Sequence, residues 1–93
     1  MSTVAFSQAI NEGFDDVTTL PGSGWAQQNL STTQGTNPTW GQGGTPFIAN
    51  SGAATAYVAA NYNAVTGTGT ISNWLFAPNR TFNNGDVISF FAR

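Results

Sequence analysis

Turn-forming residues interrupt this chain so often that an amphipathic helix has almost nowhere to run, and that limits its fold more than any other feature. Glycine alone supplies 11 of the 93 residues. Leu20-Pro21-Gly22-Ser23-Gly24, Gly41-Gln42-Gly43-Gly44, Asn50-Ser51-Gly52 and Asn83-Asn84-Gly85-Asp86 join residues that preset φ, tolerate positive φ or bond their own backbone. The one stretch that can be argued as a helix is Gly52 to Ala60. Its alanines favour helix, whereas Thr55, Tyr57 and Val58 favour strand. With period two, Ala54, Ala56, Val58 and Ala60 share one face, and Thr55, Tyr57, Ala59 and Asn61 the other, so a strand is expected.

Further short strands are expected over Gln8 to Phe14, Trp25 to Leu30, Phe47 to Ala49, Ile71 to Ala77 and Val87 to Arg93. Ser31 to Pro38 reads as a polar loop and Thr66 to Thr70 as a flexible turn. Pro78 closes the strand before it, and Asn83 to Asp86 is a strong turn signal. Strands that recur every ~8–12 residues point to a sandwich or barrel and not to a parallel α/β sheet. The fold class expected is all-β, with residues 1–93 forming one domain or the N-terminal portion of one.

Composition excludes several functions. The chain has two Lys or Arg residues, both arginine, and four Asp or Glu, with no His and no Cys. Two arginines cannot supply the basic footprint that nucleic acid requires, so no nucleic-acid partner is expected. Disulfides, thiolate metal sites, imidazole ligands and catalysis by His or Lys are excluded outright. The chain is 40% hydrophobic and its net charge is only −2, so collapse is favoured over disorder. No apolar run approaches the ~18 residues of a membrane span. Met1 to Ala9 lacks the charged and apolar regions of a complete signal peptide. Scarce Lys and Glu with abundant Thr, Asn, Gly and Ala are the composition of secreted bacterial β-proteins, so a secreted or cell-surface location is expected. Asn29-Leu30-Ser31 and Asn79-Arg80-Thr81 are sequons, which matter only in a host that glycosylates them.

The last expected strand is apolar on both faces. Ile88, Phe90 and Ala92 make one, and Val87, Ser89 and Phe91 a second, mostly apolar one. Such a strand belongs in the middle of a packed structure. Either a partner strand comes from elsewhere, or the chain is part of a larger domain.

The segments in order resemble a known group. They are Asn11-Glu12-Gly13-Phe14-Asp15, Leu20-Pro21-Gly22-Ser23-Gly24-Trp25, Trp40 before Gly41-Gln42-Gly43, Ala56-Tyr57-Val58-Ala59-Ala60-Asn61, Ile71-Ser72-Asn73-Trp74-Leu75-Phe76-Ala77-Pro78 and Gly85-Asp86-Val87-Ile88-Ser89-Phe90. From Ile10 to Arg93 the chain resembles the N-terminal part of the bacterial choice-of-anchor J domains, which are similar to gingipain cleaved-adhesin and MAM domains. The resemblance implies an antiparallel jelly-roll-type β-sandwich on an exported surface protein, with further strands beyond Arg93 and a separate anchoring segment.

Glu12, Asp15 and Asp16 form the acidic cluster. The resemblance implies a structural Ca²⁺ near the first strand, held by Glu12 with Asp15 or Asp16. The plain alternative is a solvated acidic turn, because EF-hand spacing is lacking. Glycoside hydrolysis needs two facing carboxylates, and nothing beyond the presence of acids points to it. Of the tryptophans, Trp74 is expected in the core and Trp25 packed behind its turn. Trp40, between polar loop and glycines, is best placed for exposure and is the expected ligand-binding residue, with a buried anchor as its alternative. Arg80 reads as a solvated surface residue and Asp86 as an ordinary hairpin residue.

The function expected is a noncatalytic extracellular binding or adhesion module that takes a protein or carbohydrate ligand. The alternative is a structural β-module that self-assembles or completes its sheet with another chain.

Overall fold

A computed structural model describes residues 10–93, so the expectations on Met1 to Ala9, and on the start of the strand expected from Gln8, lie outside the described residues. The chain is all-β, with short strands in small antiparallel sheets, isolated 3-10 turns and no α-helix among the described residues. Six strands appear: β1 (Ala26–Asn29), β2 (Thr32–Gln34), β3 (Gly41–Gln42), β4 (Val58–Ala59), β5 (Val65–Thr70) and β6 (Asn73–Phe76). They pair β1 with β6, β2 with β5 and β3 with β4, all antiparallel. This nesting makes the ladders successive segments of one irregular ribbon. Its base is at Ala26 and Phe76, and its tip is the loop between β3 and β4.

The approach to β1 follows from turn chemistry. Asp16 caps a 3-10 turn, Val17–Thr19, by accepting from the Thr18 N–H at 3.0 Å. A second such turn, Pro21–Ser23, starts on proline and ends at Gly24, whose φ of 93° is cheap for a residue without Cβ. The Trp25 N–H then donates to the Leu20 carbonyl at 3.1 Å and directs the chain into β1. Leu20, 2% exposed, is held under this double turn, and Phe14 meets the Trp25 ring edge-on at 5.4 Å.

Several strand expectations need correction. Residues 10–14 and 87–93 lie in no ladder, and neither does Phe47 to Ala49. Within Gly52 to Ala60 only Val58–Ala59 pairs. Ahead of it the backbone is consumed by turns, with Ala49 N–H donating to Ala54 and Ala56 N–H to Ala53, and alanine side chains bury too little to resist this. Conversely, Thr66 to Thr70 is no free turn. It belongs to β5, and its extra length against β2 is taken up by a register shift near Gly67, where φ is 62°. The expected polar loop likewise contains β2.

Side-chain amides hold the ribbon together. Gln27 accepts from the Trp40 N–H at 2.7 Å and donates to the Trp40 carbonyl at 3.2 Å, so it pairs with that residue as a strand would. Asn29 donates to the Pro38 and Ala64 carbonyls and accepts from the Ser31 N–H. Gln42 accepts from Val17 N–H at 2.9 Å and donates to the Phe14 and Thr55 carbonyls at 2.8 and 2.6 Å. Near the tip, the Tyr57 ring lies so close over Gly43 that a Cβ there would stand 2.6 Å from its Cγ. The Tyr57 hydroxyl accepts from the Gly44 N–H and donates to the Gly44 carbonyl.

The apolar core is correspondingly small. Among the described residues Leu20, Ala56, Ala64 and Val65 are the buried hydrophobic ones, with Ser31 the buried polar side chain. The radius of gyration is 16.0 Å, against about 13 Å for a compact chain of ~100 residues, and the longest dimension is 59 Å.

Because Gln42 makes three bonds that join separate segments, Gln42→Ala should lower unfolding free energy by about 1.5–4.5 kcal/mol at ~0.5–1.5 kcal/mol per bond. The measurement is the urea midpoint, with the m-value unchanged. Gln42→Glu keeps the acceptor for Val17 but sets a carboxylate oxygen against the Phe14 and Thr55 carbonyls, so its midpoint should fall at least as far as that of Gln42→Ala.

Candidate functional site

The β1–β6 ladder sets two faces apart. Its register places Gln28 opposite Trp74 and Ala26 opposite Phe76, so these four share one face. Gln27, Asn29, Asn73 and Leu75 share the other, where Gln27 and Asn29 bond the backbone of Trp40, Pro38 and Ala64. The outer face carries the aromatic pair. Trp74 and Phe76 have ring centroids 6.2 Å apart and planes within 9° of parallel.

That is a correction to the expectation that Trp74 is core, for it is 53% exposed. Alternation along β6 sends Leu75 inward instead, and Trp74 goes out with Phe76. Its indole is not free to swing, because Nε1–H donates to Ser72 Oγ at 2.8 Å. Ser72 is itself fixed, its N–H donating to the buried Ser31 Oγ at 2.9 Å and its carbonyl accepting from Leu30 N–H at 2.7 Å. The register of the ladder and two serines therefore present a pre-oriented π surface beside an uncharged amide, Gln28. Such a face can stack on a sugar ring or an apolar side chain without desolvating any charge.

The other tryptophans lie deeper. Trp25 is half-buried against Phe14, as expected. Trp40, the expected ligand-binding residue, is half-buried, and its Nε1 is enclosed without a hydrogen-bond partner. Gln27 grips the Trp40 backbone and draws the residue onto the inner side of the ribbon. No sequence signal marked Gln27 for this task. A shallow, mostly apolar depression lined by Leu20, Pro21, Trp25 and Leu75 lies nearby.

The acidic residues serve local backbone. Glu12 accepts from the Phe14 N–H at 2.7 Å, and Asp16 accepts from both the N–H and the hydroxyl of Thr18. Asp15 is exposed. Among the described residues no three acidic groups gather around a point where one cation would sit. Thr18 holds the Asp16 carboxyl below the ordinary aspartate range, through its hydroxyl first and its N–H second. Arg80 is no free surface cation. Its guanidinium lies 3.9 Å from Asp86 and 5.0 Å from the centre of the Phe82 ring, while Asp86 accepts from the Asn83 N–H at 2.7 Å.

Two measurements check these placements. Acrylamide quenching of tryptophan emission should fall most in Trp74→Phe, and less in Trp25→Phe or Trp40→Phe. Thr18→Val removes the hydroxyl bond, so the Asp16 carboxyl followed by NMR should titrate at higher pH than in the parent. A depressed folded-state pKa stabilises above the unfolded value and ceases to do so as pH falls through the folded one. The variant should therefore give up that contribution at a higher pH than the parent on acidification.

Comparison with family models, with curated proteins and with solved structures finds no match.

Proposed function

We propose that this chain is a noncatalytic binding module of adhesion type, built on a jelly-roll-type β-sandwich and carried by a bacterial secreted or cell-surface protein. One observation carries the reading: the exposed, charge-free and pre-oriented Trp74–Phe76 face of β6. It lies within Ile71-Ser72-Asn73-Trp74-Leu75-Phe76-Ala77-Pro78, one of the segments that together carry the resemblance to choice-of-anchor J domains. Aromatic anchors of this kind dominate recognition energetics when they are held rigid before binding. The ligand is a surface protein or carbohydrate. Trp40, set back on the inner side, supports the loop between β2 and β3 in this reading. Structural Ca²⁺ at Glu12 with Asp15 or Asp16 rests on the resemblance alone and needs ligands from additional groups.

A second reading, a β-module that completes its sheet with another chain, is favoured by a different observation. Val87, Ile88, Phe90 and Phe91 are the most exposed large apolar residues among those described, together with Tyr62 and Ile48, and they join no ladder.

Binding to immobilised glycans and purified surface proteins tests the first reading. Retention of one ligand class, reduced roughly tenfold or more by Trp74→Ala with Phe76→Ala, is the expected result. Retention that is unchanged in the double variant would overturn it. Thermal unfolding of the chain with calcium and with chelator should give a higher midpoint in calcium, by mass action on the folded state.

A further inference from the structure

We infer that residues 87–93 are a donor strand, which adds to the open edge of β6 in a second copy of this chain, each copy giving one arm and accepting one. The inference rests on the sheet-completing reading and names its two surfaces and its partner.

The arm has the chemistry of an interior strand and the environment of none. Val87 is 86% exposed, Ile88 71%, Phe90 80% and Phe91 82%. These β-branched and aromatic types favour a pleated, packed surface. Either side of the arm presents apolar groups, so as an added strand one side would continue the Trp74–Phe76 face and the other the Leu75 side of the ladder. The acceptor is equally unfinished. Among the described residues β6 pairs with β1 alone, so the N–H and C=O groups of its outer edge have no described strand beside them. Edge strands are ordinarily guarded by Lys, Pro or a bulge. The β6 run Asn-Trp-Leu-Phe has no charge, no proline and no register shift against β1. A net charge of −2 sets little repulsion between two copies.

The same molecule does not bring its own arm to this edge. Beyond β6, Pro78 packs at Gly24, 3.2 Å from where a Cβ would stand. The turn at Asn83–Asp86 is closed by the Asp86 N–H to the Asn83 carbonyl and by Asn83 N–H to the Asp86 carboxylate. Arg93 then lies 5.4 Å from the Phe47 ring centre, in the tip loop, at the opposite end of the ribbon from the β1–β6 ladder. The arm is thus led away from the edge that it fits.

Area supports a second copy as the occupant. The chain exposes 7404 Å², where a compact monomer of 9.7 kDa exposes roughly 5100 Å². The surplus, about 2300 Å², exceeds the ~800 Å² that each partner contributes to a standard stable interface. Reciprocal exchange draws on it twice, once for the arm and once for the edge, and closes the assembly with two-fold symmetry.

The test is the mass of the full chain by light scattering after size exclusion, from low micromolar to near-millimolar concentration, beside Ile88→Lys/Phe90→Lys. Both substitutions fall on exposed arm residues outside every ladder, so the ribbon itself should keep its far-ultraviolet spectrum. A parent mass of twice 9.7 kDa, returning to 9.7 kDa in the double variant, is expected. A dimer that persists in the variant overturns the arm as donor while leaving self-assembly standing. A parent that is monomeric across the whole range overturns the inference, and leaves the sheet-completing reading with a different chain as its only partner.

Discussion

Amide side chains that bond distant backbone replace, in this molecule, much of what an apolar core supplies elsewhere. Gln42 is the clearest case. Its acceptor and both of its donor hydrogens are engaged, and through it the Phe14–Val17 segment, the β3 strand and the loop before β4 meet at one group. Gln27 and Asn29 do the same for the base and middle of the ribbon. The four buried apolar residues among those described cannot by themselves hold so extended a fold, and backbone groups left unpaired would each oppose folding. The high Asn, Gln, Ser and Thr content is thereby explained: in short, twisted ladders, side chains must reach the donors and acceptors that strands too brief to pair leave over.

The aromatic face depends on that network through register. Ser31 is buried and holds the Ser72 N–H, Ser72 holds the Trp74 indole, and the β1–β6 ladder sets Gln28 across from it. A slip of one residue would turn Trp74 and Phe76 inward and Leu75 out. Asn29, which bonds the Pro38 and Ala64 carbonyls from the inner side, opposes such a slip, because neither bond survives it. What presents the aromatic face is therefore the packing of polar groups on the reverse of the same ladder.

Local chemistry was legible in the residues, and pairing was not. The Leu20–Gly24 turn, the strands near Ala26 and Asn73, and the turn at Asn83–Asp86 all follow from φ preferences and short-range bonds. All-β character followed from the same punctuation. The Trp74 assignment failed because a face cannot be told inward or outward from alternation alone: Trp74 and Leu75 are both apolar, and only Gln27 and Asn29 on the opposite side decide between them. Thr66 to Thr70 looked like a turn because glycine lowers strand propensity, yet β2 lies alongside to pair with it. Gln42 carried no signal at all, since its role exists only once residues 14, 17 and 55 are close.

Scarcity of charge links these observations. With six charged residues in 93, surface strands lack the lysines and glutamates that keep edges apart in most β-proteins. Two of those charges, Arg80 and Asp86, are spent on each other, on Phe82 and on the Asn83 turn, and a third, Asp16, on Thr18. The β6 edge and the 87–93 arm are accordingly the parts of the molecule with nothing to repel a strand and most to gain from one. The Trp74–Phe76 face of β6, proposed above as a ligand surface, and its outer edge, proposed as a strand acceptor, are adjacent surfaces of one element. Adding a strand at the edge extends the face and leaves Trp74 and Phe76 on it, so an assembled sheet would widen the binding surface and not bury it.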